Sequence, residues 1–147
     1  MKISLDMCCY NRPYDPQEQL KIHLETEAKL HIQEQIKDGK MVLVSSYILD
    51  YELGNVPQKE RKETIRQFIA DYASEYVGSE YHKIVDEKAN EIMRTGVKEK
   101  DAAHVASAIL AGCDYFISTD KRLLRYPTSM IKLVNPLELI SELEGEE

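Results

Sequence analysis

The 147-residue sequence sets 19 Lys and Arg against 26 Asp and Glu, a formal net charge of −7, with 43% apolar and 31% charged residues. That balance fits one soluble globular domain, long enough to bury a two- or three-layer core without disulfide staples. It argues against a broad basic face for nonspecific nucleic-acid binding, and no apolar run approaches the roughly 20 residues of a bilayer span.

The opening MKISLDMCCYNRPYD develops no apolar run of signal-peptide length before Asp6, Asn11 and Arg12 interrupt it, so a cytoplasmic chain is expected. Cys8, Cys9 and Cys113 are an odd number without zinc-site spacing, and read as reduced thiols. Lys2 to Leu5 alternate as a first strand that ends at Asp6. Asn11, Pro13, Asp15 and Pro16 mark a turn, and a helix is expected over 17–37 with Leu20, Leu24, Ala28, Ile32 and Ile36 inward and Gly39 at its close.

Met41 to Val44 form a second strand, and Ser45 and Ser46 offer caps for a helix that carries Glu52. Beyond Pro57, the stripe Ile65, Phe68, Ile69, Tyr72 predicts a helix over 58–76, with the mixed-charge run KERKE on its solvent face. A further helix over 80–94 turns Ile84, Val85, Ala89, Ile92 and Met93 inward and stops at Gly96. Asp101 opens a small-residue helix, DAAHVASAILAG, whose alanines allow close approach to a sheet while Val105, Ile109 and Leu110 fill the interface. Strands over 115–118 and 130–134, a last helix over 136–143 and an acidic tail over 142–147 that is expected to fray complete the chain. Strands separated by helices imply parallel crossovers and a three-layer α/β/α sandwich around a mostly parallel sheet.

Ligands of open parallel sheets bind beyond the carboxyl ends of the strands. That rule selects Asp6 after the first strand, Glu52 after the second, Asp120 after YFIST, and Asp101 if the N-terminus of its helix points to the same edge. Clustered carboxylates raise one another's pKa, and divalent cations compensate them. Oxygen ligands favour Mg²⁺ or Mn²⁺, which support phosphodiester hydrolysis. Each acid also has a plainer role: Asp101 at the positive end of a helix, Asp120 as an N-cap, Asp6 as a turn former, Glu52 as a solvated charge.

The segments ISLDMCCYNRP, SSYILDYEL, KEKDAAHVASAILAGCDYFISTD and KRLL resemble the PIN domain family, and within it the small prokaryotic VapC-like proteins. The resemblance spans nearly the whole chain. It implies a metal-dependent nuclease, usually acting on RNA, with Asp6, Glu52, Asp101 and Asp120 as its four acids; it also implies an antitoxin partner and homodimerisation. Many relatives carry Thr and Asn after the first acid. Here Met7 and Cys8 stand there, so polar support from those positions is expected to be absent, while Ser118 and Thr119 supply hydroxyls before the fourth acid.

His104 follows Asp101 by three residues on the same helical face, and is weighed as a base or metal ligand against a histidine packed under the site; packing is preferred. His23, His31 and His82 have no evident metal partners. Cys8 and Cys9 lack a histidine partner for nucleophilic catalysis, and packing is the better account of both. Asn11, Arg12 and Tyr14 after the first acid, and Lys121, Arg122 and Arg125 after the fourth, are candidate phosphate contacts, with capping and solvation as the alternative. Two rival functions remain. An aspartyl-phosphate phosphatase would need a second acid where Cys8 stands, and a noncatalytic RNA-binding or protein-interaction module would tolerate misplaced acids.

Overall fold

The computed structural model describes residues 1–145. In chain order the elements are β1 (Lys2–Leu5), α1 (Met7–Asn11), a 3₁₀ turn (Arg12–Tyr14), α2 (Leu20–Lys37), β2 (Val42–Ser46), α3 (Tyr47–Gly54), α4 (Lys59–Tyr72) and β3 (Ala73–Val77). A second 3₁₀ turn (Ser79–Tyr81), α5 (His82–Met93), α6 (Glu99–Leu110), β4 (Tyr115–Ile117), α7 (Lys121–Leu124), β5 (Lys132–Val134) and α8 (Pro136–Gly145) follow.

The strands form one sheet in the order β3-β2-β1-β4-β5, and every pairing is parallel. Two apolar layers sandwich it, because successive strand residues point to opposite faces. Ile3, Leu5, Leu43, Tyr115 and Ile117 pack with Ile32 and Ile36 of α2, Ile65 and Ile69 of α4 and Leu139 of α8. Val44 and Phe116 point the other way, onto Val85, Ala89 and Ile92 of α5 and Ala102, Val105 and Ala106 of α6. Gly96 and Gly112 flank α6 with φ of 100° and 74°, a left-handed conformation that glycine adopts without steric cost. The result is the three-layer α/β/α sandwich expected, with a sheet that is entirely rather than mostly parallel.

Four expectations need correction. The helix expected over 58–76 ends at Tyr72, and Ala73 to Val77 form a fifth strand paired to β2. That strand lies at the sheet edge with Ser74, Glu75 and Tyr76 exposed, so its sequence lacks a strand's apolar alternation and Tyr76 prolongs the helical stripe by one turn. Leu20, Leu24, Ile84 and Leu110, expected inward, are exposed at 70%, 42%, 53% and 41%. Asn11, expected to open a turn, instead ends a short helix, α1, that starts directly after Asp6. At the carboxyl end α8 runs to Gly145, with Glu142 accepting a hydrogen bond from Tyr115 Oη at 2.6 Å, so residues 142–145 are held; Glu146 and Glu147 lie outside the described residues.

Candidate metal centre

Along the sheet the chain moves from β1 to β2 to β3 in one direction, then returns to the far side of β1 for β4 and β5. The β1–β4 boundary is thus the topological switch point, where loops from the strand ends diverge and leave a crevice. Asp6 and Ser118 stand at this boundary, one residue beyond β1 and β4 respectively. The Asp6 amide donates to the Ile117 carbonyl at 2.9 Å, which carries the ladder one residue past the strand and fixes the carboxylate over the crevice.

Asp6 is 6% exposed. Its Oδ1 accepts from the Met7 amide at 2.8 Å and caps α1. Its Oδ2 accepts from Ser118 Oγ at 2.8 Å and from Cys8 Sγ at 3.4 Å. Cys8 Sγ in turn accepts from the Thr119 amide at 3.3 Å. The expectation that position 8 lends no polar support is corrected here, since the thiol donates to the first acid and ties it to the β4–α7 loop; Cys9, fully buried in the core, fits the packing role.

Glu52 reaches the crevice from α3. Ser46 Oγ caps that helix through the Leu49 amide at 3.2 Å, and Leu49, Leu53 and Ile48 bury its two sides in the two cores. The helix is thereby locked with the Glu52 carboxylate against His104 Nε2 of α6. One ligand atom from each of Asp6, Glu52 and His104 lies within 4.8 Å of the others.

Asp101 enters from the first turn of α6, held close to the sheet by Ala102, Ala106 and Ala108, each no more than 1% exposed. Burial pushes its carboxyl above the usual carboxylate range. The charges of Asp6, Asp120 and Glu52 add to the rise, and His104 opposes it. Asp120 caps α7, with Oδ1 accepting from the Arg122 amide at 2.9 Å and the Leu123 amide at 3.4 Å, while its own amide donates to Ser118 Oγ at 3.1 Å. Asp120 Oδ2 makes no hydrogen bond among the described residues. One hydroxyl, that of Ser118, therefore joins the first acid to the backbone of the fourth.

The four acids meet at one edge, in a graded way. Asp6 and Glu52 converge with His104, while Asp101 feels all of them and shares with Asp120 the wall of an adjoining cleft. Among the described residues, neither Asp6, Asp101 nor Asp120 has an ion-pair partner. Two carboxylates and an imidazole that converge, with further uncompensated carboxylates beside them, could hold a metal ion.

His104 is indeed buried, at 2% exposure, but it is not merely packed under the site, because it touches Glu52. Its spacing from Asp101 signals a shared face, whereas its partner lies 52 residues away and leaves no local trace in the sequence. Of the candidate phosphate contacts, Arg12 is taken up by Asp15 at 2.8 Å and by the buried Glu25 at 3.0 Å. Asn11 ends α1 with a buried Oδ1 that has no hydrogen-bond partner among the described residues. Lys121 and Arg122 are exposed on α7, and Arg122 lines the cleft beside Asp101 and Asp120.

No family model and no curated protein matches the sequence. Solved structures do match. One is VapBC2 from Rickettsia felis bound to a DNA fragment from their promoter, with a TM-score of 0.59 at 16% identity over 92% of this chain and 98% of that one. Another is FitAcB from Neisseria gonorrhoeae, with a TM-score of 0.59 at 15% identity over the same shares. Likeness at such identities concerns architecture, and it agrees with the acid-bearing segments of the sequence: the chain has a PIN-like α/β/α fold.

Proposed function

We propose that the protein is an endoribonuclease dependent on Mg²⁺ or Mn²⁺, hydrolysing RNA phosphodiester bonds, and that it is the toxin of a toxin–antitoxin pair. The observation that carries this reading is the convergence of Asp6 and Glu52 with His104 at the switch point, beside two carboxylates without ion-pair partners among the described residues. Asp6, Glu52 and Asp101 would hold the cation, Asp120 would offer its Oδ2, which makes no hydrogen bond among the described residues, and Ser118 and Cys8 orient Asp6. The imidazole donor of His104 tilts the site toward Mn²⁺, which accepts nitrogen more readily than Mg²⁺ does.

A cation bound there lowers the pKa of its water and neutralises charge on the phosphoryl oxygens. The chain's own part is to present a rigid carboxylate set and to accept the water's proton. A carboxylate oxygen of the set that is not engaged with the cation takes that proton. Attack by the water oxygen forms the new P–O bond and breaks the bond to the 3′ oxygen, which takes a proton from solvent, leaving a 5′-phosphate and a 3′-hydroxyl. The antitoxin partner is supported by the VapC-like motifs and by the likeness to VapBC2, and a homodimer by the same motifs.

The test is cleavage of a mixed RNA pool by purified protein in Mn²⁺, in EDTA, and by a folded Asp101→Asn variant. Metal-dependent products with 5′-phosphate ends, lost in the variant, are expected. Full activity in Asp101→Asn would remove that residue from the machinery, and RNA binding without cleavage under any metal would favour the noncatalytic module.

A further inference from the structure

Beside the carboxylates lies a cleft of about 210 Å³ between the α5–α6 connection and the α7–β5 loop. Asp101 and Asp120 line it together with Lys98, Arg122, Arg125 and Tyr126. In a chain of net charge −7, three cations thus surround one cavity that opens onto the candidate metal centre. None of the three forms an ion pair among the described residues, whereas Lys2, Arg12, Lys37, Arg66, Lys88 and Lys132 each do.

An exposed cation close to fixed carboxylates would ordinarily gain by swinging onto one of them. Here Lys98, Arg122 and Arg125 leave Asp101 and Asp120 free while lining the same cavity. The lining thus carries both signs, two carboxylates and three cations. It suits a ligand that presents negative oxygens to the walls while its reacting group faces the acids. The cavity is smaller than the roughly 300 to 1,000 Å³ of pockets that enclose a drug-sized ligand. A phosphate with its sugar fits that space, with the base left at the rim, and a base pair does not. Half-buried Tyr126 adds an aromatic surface on which a base can stack.

We propose that this cleft seats the nucleotide next to the scissile phosphate of a single RNA strand, with Arg122, Arg125 and Lys98 on its phosphate oxygens and Tyr126 against its base. The assignment rests on the ribonuclease reading above, and names the strand path of that same site. Guanidinium groups on a phosphate contribute position and affinity rather than sequence selection. The cleft therefore sets where the strand lies, and it restricts the substrate to unpaired RNA.

The experiment measures binding of a fluorescent 12-nucleotide single-stranded RNA, with Ca²⁺ replacing the catalytic metal, as a function of salt. It compares the wild type with Arg122→Ala/Arg125→Ala and with Lys40→Ala, which removes an exposed charge just ahead of β2. For single strands the slope of log K against log salt is about 0.7 per neutralised phosphate. The double variant should lose about 0.7 from the slope, the share of one phosphate, and bind at least tenfold more weakly at physiological salt. Its Mn²⁺ affinity, measured by calorimetry, should stay within twofold of wild type, and Lys40→Ala should match wild type throughout. An unchanged slope and affinity in the double variant would overturn the cleft assignment while leaving the metal reading intact. Equal affinity for duplex RNA, or displacement by an oligoglutamate peptide as effective as by RNA, would also overturn it. Failure of the wild type to bind Mn²⁺ or to cleave RNA in Mn²⁺ would instead strike the ribonuclease reading.

Discussion

Lys29 on α2 offers a stability prediction that the structure makes quantitative. The residue is 5% exposed, with Nζ 5.4 Å from the ring centre of Tyr10 and 5.9 Å from that of Phe68, and it contacts Gln33. No carboxylate pairs with it among the described residues, because Glu25, one helical turn away, is occupied by Arg12. Burial lowers the ammonium pKa from 10.5 to about 8. Below about pH 8 the group is protonated in both the folded and the unfolded chain, and the full cost of burying the charge is present. Between about 8 and 10.5 the unfolded chain binds more protons, so stability rises with pH and the cost is relieved. At 1.36 kcal/mol per pH unit, the fall from 10.5 to about 8 corresponds to about 3 kcal/mol. Lys29→Met keeps the aliphatic stem and removes the charge. At pH 7 it should gain about 2 to 3 kcal/mol, or roughly 4 to 12 °C in Tm for a chain of this size. Urea titrations at pH 7 and pH 10 should show the variant well ahead at pH 7 and the gap mostly closed at pH 10. A variant less stable than wild type at pH 7, or a wild type whose stability does not rise across that interval, would refute the reasoning.

Arg12→Ala leaves the 1%-exposed Glu25 carboxylate without its partner and should cost about 3 to 5 kcal/mol by chemical denaturation, whereas Arg12→Met with Glu25→Leu should recover most of the loss. If the single variant keeps its stability but loses RNA affinity, Arg12 is a phosphate contact rather than a clamp. Ser118→Ala removes the hydroxyl that joins Asp6 to the Asp120 amide; Mn²⁺ affinity by calorimetry should fall by about tenfold with little change in urea midpoint. His104→Gln exchanges a nitrogen donor for an amide. It should weaken Mn²⁺ more than Mg²⁺, and equal losses for the two ions would show that the imidazole does not ligate.

The parts of this fold that were legible in the sequence are those where local pattern and tertiary role coincide. β2 and β4 are mostly buried on both faces, so their apolar runs stand out, β1 shows as a short alternation, and the small residues of the helix carrying Asp101 mark a close approach to the sheet. β3 was hidden because an edge strand needs little apolar surface, and its Tyr76 and Glu75 contact Asp50 and Lys2 rather than the core. Leu20 and Ile84 continue helical stripes at positions where nothing covers them. In the site, the acids were found by the rule of strand ends, which depends on topology alone. The contacts of His104 with Glu52 and of Cys8 with Asp6 and Thr119 depend on side-chain placement across distant segments, so no spacing reports them.

The measurement that bears most directly on the central claim is a calorimetric titration of Mn²⁺ into the wild type and into Asp6→Asn, with folding of both verified by circular dichroism. Asp6 is the carboxylate to which β1, α1, Cys8 and Ser118 all attach, and it belongs to the tight ligand group. The account predicts millimolar or tighter binding by the wild type, weakened at least tenfold in the variant. Equal binding by both proteins, or none by the wild type, would contradict a metal centre at the switch point of the sheet.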